Sequence, residues 1–92
     1  MLMPVFGRKM DHLLVNVLGY ERRVGRHQIY VLRLDGKQAA RTLISHGVRE
    51  IGDDLMALMA QQMGITLSQL KRLVAGEMSR DEYYRLLHER GK

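Results

Sequence analysis

The chain contains no cysteine, which excludes disulfides and thiolate metal sites and leaves packing alone to hold the fold. It has no apolar run approaching the length of a membrane span. A Gly-rich phosphate loop, a nucleophile elbow and an HExxH zinc motif are all missing. Internal repeats and low-complexity tracts are absent from the 92 residues. In Met1-Leu2-Met3-Pro4-Val5-Phe6-Gly7-Arg8-Lys9 the charges follow the apolar residues, the reverse of a secretory leader. These absences predict one soluble, cytoplasmic domain spanning residues 1–92, with a modest core and a frayed start over Met1–Gly7.

What is present is a localised positive charge. The formal net charge is +5. Residues 42–92 carry seven basic and seven acidic side chains and so contribute nothing. All but one unit of the excess lies in residues 21–41, where Arg22, Arg23, Arg26, Arg33, Lys37 and Arg41 stand against Glu21 and Asp35. A basic patch of this kind attracts phosphate backbones and makes binding salt-dependent. The plainer alternative is a solvated sheet face kept soluble by its charge.

The same region carries the clearest structural signal. Gln28 to Leu34 is rich in β-favouring residues and ends at Asp35-Gly36, a dipeptide suited to the positive φ of a type I′ hairpin turn. The return strand is expected over Gln38–Ser45, with Leu34 opposite Lys37. An unbroken register then places Tyr30, Leu32 and Leu34 with Ala39, Arg41 and Leu43 on the core face. It places His27, Ile29, Val31 and Arg33 with Gln38, Ala40, Thr42 and Ile44 on the solvent face. A bulge would swap the faces on one strand.

Around the hairpin, Met10, Leu13, Leu14, Val17 and Leu18 fall at helical spacing and stop at Gly19. Tyr20–Val24 reads as a polar edge strand and Ser45–Glu50 as a loop. Ile51, Leu55, Leu58, Met59 and Met63 mark a helix from Gly52 to Met63, with Asp53 and Asp54 in its first turn. Thr66 or Ser68 caps a shorter helix ending at Gly76, and Ser79 to Glu82 forms a capping box for the last one. The fold class is therefore α+β, a small antiparallel sheet of two or three strands packed on helices. Met56, Met59 and Met63 read as adaptable core, with a partner-facing groove as the alternative.

Two histidines flank the hairpin. His27 opens its first strand beside Arg22, Arg23 and Arg26, where it could move a proton during phosphodiester cleavage while arginines hold the phosphate. The plain alternative is a polar strand-end residue. His46 stands at the far end of the return strand, on the face of His27 in the unbroken register. No third ligand has a recognisable metal spacing, so no metal and no cofactor are expected. His12 and His88 fall on solvated helix faces.

The order of a helix ending at Gly19-Tyr20, then Gly25-Arg26-His27-Gln28-Ile29-Tyr30, resembles the HicA-type toxins of bacterial toxin–antitoxin systems. Gly36-Lys37, Thr42-Leu43-Ile44-Ser45-His46-Gly47, Glu50-Ile51 and Leu55 through Gly64-Ile65 continue the resemblance, which covers about residues 9–65. It implies a double-stranded-RNA-binding-like α-β-β-β-α core and a metal-independent mRNA endonuclease. It also implies a HicB-type antitoxin as partner. The family's catalytic histidine matches His27. Arg26 and Arg33 would support it, and Arg22, Arg23, Lys37, Arg41 and His46 would bind nucleic acid. This chain has Gly25-Arg26-His27 where the family commonly has Gly-Ser-His, and residues 66–92 form a C-terminal helical extension beyond the compact members. Two other functions compete with RNA cleavage. One is a non-catalytic phage or mobile-element module that blocks a nucleic-acid machine, with Tyr83, Tyr84 and the methionine stripe as its partner surface. The other is a DNA-binding regulator using helices after Thr66 and Ser79, against which their balanced charge argues.

Overall fold

Asp35 and Gly36 both lie in the left-handed region, at φ 54° and 78°, as a type I′ turn requires. The computed structural model describes residues 5–45 and 47–90. Its elements run β1 (Val5–Phe6), α1 (Gly7–His12), a π-helical segment (Leu13–Val17), β2 (Glu21–Val24), β3 (Gln28–Leu34), β4 (Lys37–Ile44) and β5 (Glu50–Ile51). Three helices follow, α2 (Asp53–Met63), α3 (Leu67–Val74) and α4 (Arg80–Arg90). The fold is α+β: β2, β3 and β4 form an antiparallel sheet in that order, and β1 pairs with β5 in a second, two-stranded one. From Gly7 to Met63 the main elements follow the expected α-β-β-β-α order. No helix among the described residues is long and apolar enough to cross a membrane.

The hairpin register holds at the turn, with Leu34 opposite Lys37, and then breaks. Arg33 pairs with Gln38 but Leu32 pairs with Ala40, so Ala39 is the extra residue of a β-bulge. The bulge reverses the parity of the rest of β4. Tyr30 faces Thr42 and Gln28 faces Ile44, so Ala40, Thr42 and Ile44 turn toward the helices and are buried. Arg41 and Leu43 turn to the open side. The face assignment from an unbroken register is therefore corrected on β4. The physical reason is charge: that register would direct Arg41 into the core and Ile44 into water, a larger cost than one local bulge. Thr42 is buried without penalty because its hydroxyl donates to Gln62 Oε1 of α2 at 2.7 Å.

The first helix differs from expectation in its second half. The Leu18 N–H bonds the Leu13 carbonyl at 2.9 Å, the wider π spacing, and the Tyr20 N–H closes on the Leu14 carbonyl at 2.7 Å. Val5 and Phe6, expected to be frayed, instead pair with Ile51 and Glu50. A glycine makes this pairing possible. The Gly7 N–H donates to the Arg49 carbonyl at 2.9 Å, and a β-carbon at Gly7 would lie 2.7 Å from the Val48 carbonyl oxygen.

The helices start as the sequence predicts. Thr66 and Gln69 form a reciprocal capping box, and Ser79 Oγ accepts from the Glu82 N–H at 3.1 Å. Met56, Met59 and Met63 are buried in one apolar cluster with Met10, Leu14, Leu32, Leu70 and Tyr83. The methionine stripe is thus core and not a partner groove. Helix α4 is tied down by tyrosines. The Tyr83 hydroxyl donates to the Met63 carbonyl at 2.8 Å and accepts from Tyr20, and the Tyr84 hydroxyl donates to the Leu18 carbonyl at 2.6 Å. Burial raises the Tyr20 and Tyr83 phenols above the usual tyrosine range, so both stay protonated at neutral pH.

Candidate nucleic-acid interface

The open face of the three-stranded sheet follows directly from the register. Glu21, Val31 and Arg41 lie abreast across β2, β3 and β4, Arg23, Ile29 and Leu43 form the next row, and Arg33 sits beside Gln38. All three arginines are exposed. Val31, in the middle, is buried although it lies outside the main core cluster. The result is a basic surface with a narrow apolar centre. Arg23 Nε donates to Glu21 Oε1 at 3.2 Å, with both side chains more than half exposed. Such a pair is weak in water and gives way readily to a phosphate.

His27 and Arg26 are exposed in the turn between β2 and β3, just before the first paired residue, Gln28. Arg23 is the nearest of the open-face arginines by register, one strand away beside Ile29. Arg33 lies six residues farther along β3, about 20 Å at the usual strand rise. Lys37 is exposed at that same far end. Arg33 and Lys37 therefore lie too far away to hold a phosphate placed at His27, which corrects the expected support from Arg33. The spacing suits contact with other phosphates of the same strand. His46 falls outside the described residues.

Arg22 alternates to the helix side, opposite Tyr30. Its Nη1 donates to both carboxylate oxygens of Asp11, at 3.0 and 3.1 Å. The Tyr30 hydroxyl donates to Asp11 Oδ1 at 2.6 Å, and burial followed by this bond raises the phenol above its ordinary range. Arg22 thus anchors α1 to β2 and is only half-exposed.

Two adjoining depressions open on this helix side, and they share Arg8 and Val48 as walls. One, of about 260 Å³, reaches from Arg8 past Asp11 and Arg22 to Gln28 and Ser45. The other, of about 480 Å³, is bordered by Phe6, Arg49 and Glu50. Sequence reading missed Phe6, Arg8 and Arg49, because the pairing that gathers them joins residues some forty-five positions apart. The available signal was the chain's single phenylalanine next to Gly7-Arg8-Lys9. Among the described residues no group of three His, Cys, Asp or Glu side chains is placed to hold a metal ion. No protein-family model, curated protein or solved structure matches the chain.

Proposed function

We propose that this chain is an RNA-binding domain of HicA-like type that cleaves single-stranded RNA or mRNA without a metal ion. The reading is supported by one observation above all: Arg23, Arg26, Arg33, Lys37 and Arg41 are all exposed on the sheet or its turns. A sheet face several residues long can track successive phosphates, and RNA supplies its own nucleophile. In the proposed step the 2′-oxygen attacks the adjacent phosphorus and the bond to the 5′-oxygen breaks. The products are a 2′,3′-cyclic phosphate and a free 5′-hydroxyl. His27 takes the 2′-hydroxyl proton as general base or returns one to the leaving oxygen as general acid, while Arg26 and Arg23 offset the charge that develops on phosphate. The resemblance makes a HicB-like antitoxin the expected protein partner.

A second reading is binding without cleavage. One observation favours it: among the described residues no hydrogen bond orients the His27 ring, whereas general acid–base groups are ordinarily held in place. The methionine stripe and Tyr83 do not form its partner surface, since both are buried. Titration of single-stranded RNA at rising salt tests the shared part of both readings. Binding should weaken steeply with salt, and Arg33→Glu with Arg41→Glu should abolish most of it. Binding that ignores salt and both substitutions would remove the basis for either.

A further inference from the structure

Phe6 is a large aromatic side chain left 54% exposed, and a lone exposed apolar residue needs no explanation by itself. Its surroundings are what set it apart. Phe6 lines the larger depression together with Arg8 and Arg49, and among the described residues neither arginine has an ion-pair partner. The depression continues past Arg8 into the smaller one, which ends at Gln28 and Ser45. Gln28 is the residue after His27. A ring sharing a depression with two guanidinium groups that lack an ion-pair partner among the described residues, beside a second depression reaching Gln28, has the makings of a single-strand site.

Resting on the RNA reading, we infer that Phe6 is a base-stacking platform for single-stranded RNA, with Arg8 and Arg49 holding the flanking phosphates. Glu50 gives the site its polarity. It sits opposite Phe6 in the β1–β5 ladder, and its carboxylate repels phosphate from that end, so the ring meets a base and not the backbone. The backbone then runs over Arg8 toward Gln28, on the helix side of the sheet end. The backbone that carries the ring is fixed by the strand pairing and by the close approach of Gly7 to Val48 and Arg49.

The chain has no tryptophan, so Phe6→Trp introduces a single fluorescent reporter at the site. Titration uses a short oligo(A) strand and a matching abasic strand that keeps the phosphates. Stacking predicts quenching by oligo(A) and little by the abasic strand. Phe6→Ala and Phe6→Leu should each weaken oligo(A) binding about five- to a hundredfold, the range found for loss of one stacked base, and Phe6→Tyr should restore it. Phe6→Leu keeps the apolar body, and matching thermal melts separate lost stacking from lost folding. If oligo(A) binds but the tryptophan is unquenched and Phe6→Leu binds as wild type does, the stacking site is overturned while the RNA reading stands. If wild type binds neither strand, the RNA reading itself falls and takes this site with it.

Discussion

Removing the Tyr83 hydroxyl should damage the protein far more than removing that of Tyr20, although the two phenols bond each other. Tyr83 donates to the Met63 carbonyl and accepts from Tyr20. Tyr83→Phe therefore leaves two groups unsatisfied, the last carbonyl of α2 and the buried Tyr20 O–H, which has no other hydrogen-bond partner among the described residues. An orphaned buried polar group costs about 1–3 kcal/mol, so with two of them this variant should lose about 2–6 kcal/mol. Tyr20→Phe removes only a bond that Tyr83 accepts, while Tyr83 still donates to Met63, and should cost about 1 kcal/mol. The double variant leaves just the Met63 carbonyl without a partner. It should therefore lose less than the two single losses added together, by about 1–2 kcal/mol. Against a total stability of about 5–14 kcal/mol for a domain of this size, these differences are readily measured by urea denaturation followed by circular dichroism. Equal single losses, or strict additivity in the double variant, would refute the bonding chain.

Other outcomes follow from the same geometry. Gly7→Ala forces a β-carbon against the Val48 carbonyl oxygen and should cost about 1–3 kcal/mol, seen as a lowered Tm; an unchanged Tm would mean that β1 is not docked as described. Burial raises the Tyr20 and Tyr83 phenols in the folded state, so the stability linked to them is intact below about pH 10 and lost as pH rises beyond it. Each should contribute a downward slope of about 1.4 kcal/mol per pH unit there, and Tyr20→Phe should flatten the alkaline limb of a pH–stability curve. Arg33→Ala and Arg41→Ala should each reduce the slope of log affinity against log salt for single-stranded RNA by about 0.7, and an unchanged slope would show that those side chains meet no phosphate.

What the sequence revealed and what it hid divide along physical lines. Asp35-Gly36, the Thr66 cap and Ser79 before Asp81-Glu82 are local devices whose chemistry is complete within a few residues; the turn and Ser79 act where expected, and Thr66, one of two candidates with Ser68, proves to be the cap. The bulge at Ala39 has no such signature. It is fixed by the competition between Arg41 and Ile44 for the core, which is settled only when the sheet meets α2. The pairing of Val5-Phe6 with Glu50-Ile51 is two residues long and remote in sequence, too little for a strand pattern to register. The same limit applied to the candidate site. The exposure of Arg33 and Lys37 could be read from alternation and composition, but an unbroken register sends Arg41 into the core and only the bulge turns it out, and Arg22 is engaged by Asp11 because α1 lies beside β2. His27 and Arg33 already stand at opposite ends of one strand in the sequence, six residues apart, so their separation of about 20 Å follows from strand rise alone.

RNA cleavage centred on His27 is tested most directly by incubating an end-labelled single-stranded RNA in excess chelator with wild type or His27→Ala at equal concentration. Wild type should cut despite the chelator and leave 2′,3′-cyclic phosphate ends, and His27→Ala should not cut, with both proteins binding the RNA alike. Equal cutting by both would contradict the role of His27. Binding without any cutting by wild type would contradict cleavage itself and leave a binding module.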